Sequence, residues 1–465
     1  MVASGEERPS DALGGASLPI VRRLLCFLFF LLLVNDGQAK SGAYDAMYGN
    51  YFWTPTLWSQ PVLFDPVLKV RPFDILVAVA LFVGLGSRSG KAPLVQPLKK
   101  AMLLAVATTI LCFMLGVARG GDARAASWQI YLVLATILAS FAISANFRTP
   151  EHYYLLGKVY VLAGLYRTFM CLLFYFGWWR HLAPEDAPPY LTTHEDSVLW
   201  VATIMLLLTN AVEVRSRRAV AIALAAIPLL MLAIQVNNRR IAWVSLAAAL
   251  FTFYALLRSS RVKKRITRAM LMSLPLVGAY VVIGWGREGR LFRPLAALAT
   301  VSTVEDASTR ARNCENLGLI ATANANGWVL SSGWGHKYIE LTNKYSIASA
   351  FELWQYVPHN SILGIFAFTG TFGFIGFWLR VPIAVYLHAR TARLAPRGVE
   401  RGIGLAAVAT TVVCCNQMYG DMGVFSGTTM YSLAAVLAAA MRVPIEAGTW
   451  PDSARKVPAP TARSG

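Results

Sequence analysis

The sequence predicts an all-α polytopic membrane protein of about twelve transmembrane helices, with one long loop between the ninth and the tenth. Three observations predict it. Hydrophobic residues make up 56% of the 465-residue chain and charged residues 14%, against roughly a quarter charged in a soluble domain. Apolar runs near the length of a spanning helix recur along the chain. Lys and Arg gather in alternate loops between them, the asymmetry that orients membrane proteins. A net charge of +19 would suit nucleic acid on a soluble face. Its dispersal over short inter-helix loops points to topology instead, and no nucleic-acid partner is expected.

The elements follow in order. Residues 1–17 are polar and expected to be disordered. Arg22 and Arg23 then precede the apolar run 24–34, which suits either a signal peptide or a short first membrane helix that stays attached; we take the second. The aromatic and Pro-rich stretch 44–72 would lie at the outer interface. Further spans are expected at 73–85, 101–117, 128–145, 153–178, 197–212, 219–236, 241–257 and 269–285, then at 361–379, 402–418 and 422–440. The chain thus divides into a bundle of nine helices (18–285), a loop (286–357), three closing helices (358–442) and a disordered tail (443–465). Basic clusters at Arg215, Arg217 and Arg218, from Arg258 to Arg268 and from Arg390 to Arg401 place both termini inside and the long loop outside. The loop from His181 to Asp196 is net acidic, as an outer loop should be.

Other classes are poorly served. Of the six Cys only Cys314 falls in the long loop, and no Cys-x-x-Cys occurs, so neither a disulfide framework nor a thiolate metal site is indicated. No two-half symmetry with paired broken helices marks a secondary transporter. A flippase or exporter would line a central path with its charges; here the polar residues concentrate in one outer loop.

An outer-facing site has no ATP or sugar nucleotide. An energy-rich group must reach it already attached to a lipid, and a polyprenyl diphosphate-linked sugar fits. Asp-x-Asp, a common metal–diphosphate motif, is absent from the chain. That leaves arginines, whose planar forks suit phosphate oxygens. Arg239 and Arg240 follow Asn237 and Asn238 in a very short outer turn, where they either snorkel to headgroups or hold an anion. In the loop Arg310 and Arg312 precede Glu315 and Asn316; the spacing puts Arg312, Glu315 and Asn316 on one helix face. That face is either a solvated one or a diphosphate-binding Arg held by Glu315. Arg287, Arg290 and Arg293 form a second outer cluster suited to headgroups.

Gly333-Trp334-Gly335-His336 signals a tight turn with an interfacial Trp, and His336, Tyr338 and Glu340 are candidates for an acceptor groove. Pro358-His359-Asn360 is the sharpest point. Pro358 disfavours helix before it, and Asn360 can cap the apolar helix after it. His359 then sits at a helix N-terminus, where the dipole favours neutral imidazole, a proton acceptor. Gly370, Gly373 and Gly376 allow close helix packing. Asp421, with Gln417 one turn before it, can orient an Arg or bind sugar hydroxyls; an exposed turn acid is the plainer reading. Arg167 falls within a span, where a charge is a functional candidate, with no partner evident.

The motif N-N-R-R-I-A-W opening a helix, Arg312-x-x-Glu315-Asn316 followed by Gly333-x-Gly335, and His359-Asn360-Ser-x-Leu before a Gly-spaced helix resemble the O-antigen ligase / O-antigen polymerase superfamily of bacterial cell-envelope glycosyltransferases. The resemblance runs from about Asn237 to Ala440. It implies a type C glycosyltransferase architecture in the inner membrane, a periplasmic site, a polyprenyl diphosphate donor and neither cofactor nor metal. Arg240 and Arg312, with Arg239 and Arg310 nearby, would engage the diphosphate. His359 would activate the acceptor or position the donor, and Glu315, Asn316, Asn360, His336, Glu340 and Asp421 would support the site. The loop is more similar to that of exopolysaccharide-associated members than to typical ligases. The expected activity is transfer of an oligosaccharide from the polyprenyl diphosphate to a growing surface polysaccharide. The alternatives are ligation to a lipid A core and, from another class, a lipid-linked oligosaccharide flippase. A structural partner within a polysaccharide assembly complex is a further reading.

Overall fold

The structure, a computed structural model, describes residues 17–34, 70–87, 92–183, 190–285, 287, 292, 295, 307–342 and 353–451. Among the described residues every long element is a helix. These are α1 (Ser17–Val34), α2 (Pro72–Gly86), α3 (Gln96–Ala118), α4 (Ala123–Asn146), α5 (Pro150–Gly177), α6 (Glu195–Glu213) and α7 (Arg217–Asn237). They continue with α8 (Arg240–Leu256), α9 (Arg261–Gly284), α10 (Ala307–Asn326), α11 (Ser361–Trp378), α12 (Arg380–Leu394), α13 (Val399–Gly420) and α14 (Gly427–Glu446). Expectations for 1–16, 44–69 and 452–465, and for Arg290 and Arg293, lie outside the described residues.

Nine helical stretches among the described residues are long and apolar enough to cross a membrane, which supports a polytopic membrane protein. Each expected apolar run falls on a helix, but α2 and α8 are shorter than a full span, at 15 and 17 residues. Boundaries differ from expectation at several helices, two of them among the closing ones. The run expected to end at 379 continues, because α11 and α12 form one stretch, Ser361–Leu394. The last helix begins at Gly427 rather than 422, because Gly423–Phe425 forms a 3-10 turn and Ser426 caps α14 through Thr429 N.

Short polar residues start several helices: Asp122 Oδ1 accepts from Ala125 N, and Ser216 Oγ from Ala219 N. Pro stands in the first turn of α2, α3 and α5, where no N–H is lost. Helix α13 packs against α6, α8, α12 and α14, and α14 lies along α4, nearly all of its length buried. Helix α9 stands at the edge and buries only Gly284.

Some of the charges within the bundle are paired. Arg167, with no evident partner in the sequence, makes a bidentate ion pair with Asp196 at the start of α6, at 2.8 and 2.7 Å. Arg401 pairs with Glu213 at 2.5 Å. Such pairs fix helix register more than they stabilise, since burying both ions costs nearly as much as their attraction returns.

The stretch expected to be one long loop carries a 20-residue helix, α10, and then docks its next segment into the bundle. Gly333 and Gly335 have φ of 87° and 89°, as the turn reading requires. The turn is wedged between α3, α4 and α11. Gly333 N donates to Phe368 O, Trp334 N to Cys112 O and Gly335 N to Gln129 Oε1. Trp334 is therefore buried at 2% exposure, not interfacial. A Cβ at Gly116 would strike the Trp334 backbone, so close packing of α3 against this turn needs glycine there.

Gly370 does not serve simple helix packing. It breaks α11 with φ 65° and ψ −171°. The residues around the break bond to the docked segment: Thr371 N to Trp328 O at 2.7 Å, Phe372 N to Val329 O at 3.1 Å, and Ser331 Oγ to Ala367 O at 2.6 Å. Backbone groups freed by the kink are thus satisfied. Gly373 and Gly376 do face α3, at Cys112 and Thr108.

Candidate functional site

One end of the bundle gathers most of the polar residues singled out in the sequence. Helix α13 ends there at Gly420, α6 and α8 begin there, and the His359 turn enters α11 there. A cavity of about 290 Å³ lies among these ends. Its lining includes Arg239, Arg240, Arg312, Glu315, Asn316, His359, Asn360 and Asp421. Residues more than a hundred positions apart thus share one space, with three guanidinium groups and two carboxylates in its wall.

The turn before α11 is built as its sequence suggests. Asn360 caps the helix, its side chain accepting from Leu363 N at 3.1 Å. Its Nδ2 donates to Asn316 Oδ1, 3.1 Å away on α10. Glu315 does not hold an arginine. Its Oε1 accepts from His359 N at 2.7 Å, and its Oε2 lies 2.9 Å from His359 Nδ1. The reason is that α10 lies against the entry of α11, so the carboxylate meets the exposed amides that start that helix. Met422 N closes the turn on His359 O at 2.8 Å. With the carboxylate on Nδ1, that nitrogen carries a proton, so in the neutral ring Nε2 is the nitrogen with the lone pair.

Arg312, rather than Arg310, belongs to the site. Arg310 is exposed and does not line the cavity. The carboxylate nearest Arg312 is Asp421 Oδ1, at 3.8 Å. Asp421 is not an exposed turn acid; it is 5% exposed. Burial raises its carboxyl, but His194, Arg312 and Arg239 outweigh that and push it down to about 2. Gln417 Nε2 fixes the local backbone through Asp421 O at 3.1 Å.

Arg239 and Arg240 differ. Arg239 is held on two sides: its guanidinium lies 3.6 Å from the Tyr190 ring centroid and donates to Thr192 O at 3.1 Å; it also stands 2.8 Å from His194 Nδ1. Asn237 accepts from Leu191 N and Thr192 N, tying the same segment to the α7–α8 turn. Arg240 is exposed to the cavity.

His194 went unnoticed in the sequence. Its Nδ1 lies 2.9 Å from Asp421 Oδ2, forming a second histidine–carboxylate pair beside the cavity. One ring nitrogen cannot both donate to Asp421 and accept from Arg239. The anionic Asp421 selects the N–H form. The only local signal was its place just before α6, in a loop that the charge pattern reads as an outer one.

His336 leaves the candidate groove, because its Nε2 bonds to Gly116 O at 3.1 Å on α3. Tyr338 and Glu340 stay, lining a second cavity of about 190 Å³ with Arg312, Cys314, Glu315, Trp354 and His359. A further cavity of about 380 Å³ opens at the opposite end of the helices; its lining has Lys158 and Arg218 but no His, Asp or Glu. It lacks the acid–base groups of the first two. Among the described residues no group of three or more His, Cys, Asp or Glu is placed to hold a metal ion.

No protein-family model matches the chain, and no curated protein matches it in sequence.

Proposed function

We propose that this chain is a membrane glycosyltransferase that moves an oligosaccharide from a polyprenyl diphosphate to a growing surface polysaccharide. The observation that carries the reading is the shared cavity, where Arg239, Arg240 and Arg312 stand beside the His359–Glu315 pair. Guanidinium groups suit a diphosphate leaving group, and a neutral imidazole oriented by a carboxylate suits a proton acceptor.

The reaction runs as follows. Arg240 and Arg312 bind the donor diphosphate, while Tyr190 and Thr192 hold Arg239 in the same wall. The acceptor hydroxyl gives its proton to His359 Nε2 as its oxygen attacks the anomeric carbon. The bond from that carbon to the diphosphate oxygen breaks, and its electron pair leaves with the polyprenyl diphosphate. The developing negative charge falls among the guanidiniums, in a site partly withdrawn from water. Glu315 stabilises the imidazolium until the proton passes to solvent.

In this reading the bundle makes twelve membrane passes in the inner membrane, α2 and α8 included. The site faces the periplasm and both termini face the cytoplasm. Other polysaccharide assembly proteins are expected neighbours. The donor chemistry would be shared by a ligase acting on a lipid A core; only the acceptor differs. Purified protein given labelled lipid-linked repeat alone separates the two. Chain growth is the expected result. An inert mixture that reacts only when lipid A core is added would make the chain a ligase.

A further inference from the structure

We infer that the smaller cavity is the acceptor subsite and that it selects an uncharged sugar terminus; this rests on the proposed transfer reaction. Three features converge. First, the cavity shares Arg312, Glu315 and His359 with the larger one, so the imidazole stands between two separate spaces. A base that takes a proton from one reactant while the other departs needs that placement. With the diphosphate in the guanidinium-rich cavity, the other side is left for the nucleophile.

Second, the wall is that of a hydroxyl-binding site. Trp354 and Tyr338 meet edge to face, ring centroids 5.7 Å apart at 90°. Aromatic rings of this kind accept the C–H face of a sugar ring. Glu340 supplies the polar group. Its Oε2 accepts from Gln355 Nε2 at 3.4 Å, whereas its Oε1 is buried and has no hydrogen-bond partner among the described residues. A buried, unpaired carboxylate oxygen is costly, and a ligand hydroxyl removes the cost.

Third, the charges favour a neutral ligand. Glu315 and Glu340 both line the cavity against the single Arg312. Burial first, and then these two carboxylates, push the Tyr338 phenol up, so it stays a proton donor. A uronate or phosphorylated sugar would meet two like charges where a neutral sugar meets acceptors. A site built to bind a hydroxyl discriminates strongly against a ligand that cannot supply it.

The segment is held rigidly enough to select. Ile339 N donates to Thr322 Oγ1 at 2.8 Å, and Tyr338 N to Gln355 O at 3.1 Å. The wall is therefore pinned to α10 on one side and to the stretch before His359 on the other.

The test measures binding without turnover. Full-length protein in nanodiscs is titrated calorimetrically with neutral oligosaccharide fragments of the producing cell's surface polysaccharide. The same fragments with primary hydroxyls oxidised to carboxylates form the second probe, and farnesyl diphosphate the third. We expect the neutral fragments to bind at least about ten-fold tighter than the oxidised ones. Glu340→Gln should weaken neutral binding several-fold and shrink the gap, and Trp354→Ala should abolish binding. Farnesyl diphosphate should bind all three proteins alike. Trp354→Phe, which keeps a ring, should retain most of the affinity and shows that loss in the alanine variant is not misfolding. Equal binding of neutral and oxidised fragments, no fragment binding, or indifference to both positions would overturn the acceptor assignment. Failure of farnesyl diphosphate to bind, with fragment binding intact, would instead count against the donor reading.

Discussion

His359 and Glu315 show what single residues contribute. The carboxylate bonds both the backbone amide and the ring of His359, so it sets the tautomer and the position together. Under the proposed chemistry His359→Ala should lower the transfer rate by about 10²–10⁴-fold with little effect on donor affinity. Glu315→Gln keeps the size but loses the charge, and should lower the rate while leaving donor affinity near that of the parent. A changed donor affinity with an unchanged rate, measured in proteoliposomes, would move His359 from proton transfer to binding. Asp421 permits a statement about pH. Its carboxyl is held near 2, below the 3.8 of an unperturbed side chain. The stabilisation it brings is complete above about pH 4 and is lost as pH falls through about 2. Thermal unfolding in detergent should therefore show the parent protein losing stability steeply between pH 4 and 2.5. Asp421→Asn should be less stable at neutral pH and lack that part of the slope. Equal slopes would mean that Asp421 is not paired as described.

At the scale of elements, the decisive one is α11. Its cap at Asn360 was legible because a short polar residue before an apolar run states its own role. Its break at Gly370 was not, because a glycine among apolar residues reads equally as a packing site. Only the docked segment 328–333 reveals which role it has. The same limit explains His194: its partner Asp421 lies 227 positions away, and local pattern cannot pair them. Arg167 and Asp196 were separated in the same way. Glu315 misled for a related reason. Helical spacing placed it beside Arg312, but the entry of α11 offered its carboxylate two amides. The conformation at Gly370 is one that other residues adopt only at a cost of about 1–3 kcal/mol. A Cβ there would also press on the Val329 and Leu330 backbone. Gly370→Ala should lower stability by at least that amount. Gly278→Ala in α9, where a Cβ would meet open space, should leave it unchanged or raise it by about 0.5–1 kcal/mol. Matching effects in the two variants would remove the kink from the account.

At the scale of the whole molecule, composition and the spacing of apolar runs were enough for the helical membrane architecture, since hydropathy is a bulk property of each segment. Which ends come together was beyond the sequence, because that depends on contacts among α6, α8, α10, α11 and α13. The proposed orientation can be read from a native residue. Cys314 is partly exposed on α10 beside the site; Cys26, Cys112, Cys171 and Cys414 are buried, and Cys415, also partly exposed, lies within the apolar helix α13. A membrane-impermeant maleimide should label intact spheroplasts, and Cys314→Ser should remove most of that label. Labelling that appears only after permeabilisation would put the site on the cytoplasmic face.

The most direct measurement is single-turnover release of polyprenyl diphosphate in proteoliposomes loaded with lipid-linked repeat. The parent protein should release it in step with growth of the glycan, while Arg312→Ala and His359→Ala hold the donor intact. Undiminished release by both variants, or glycan growth without release, would contradict transfer at this cavity.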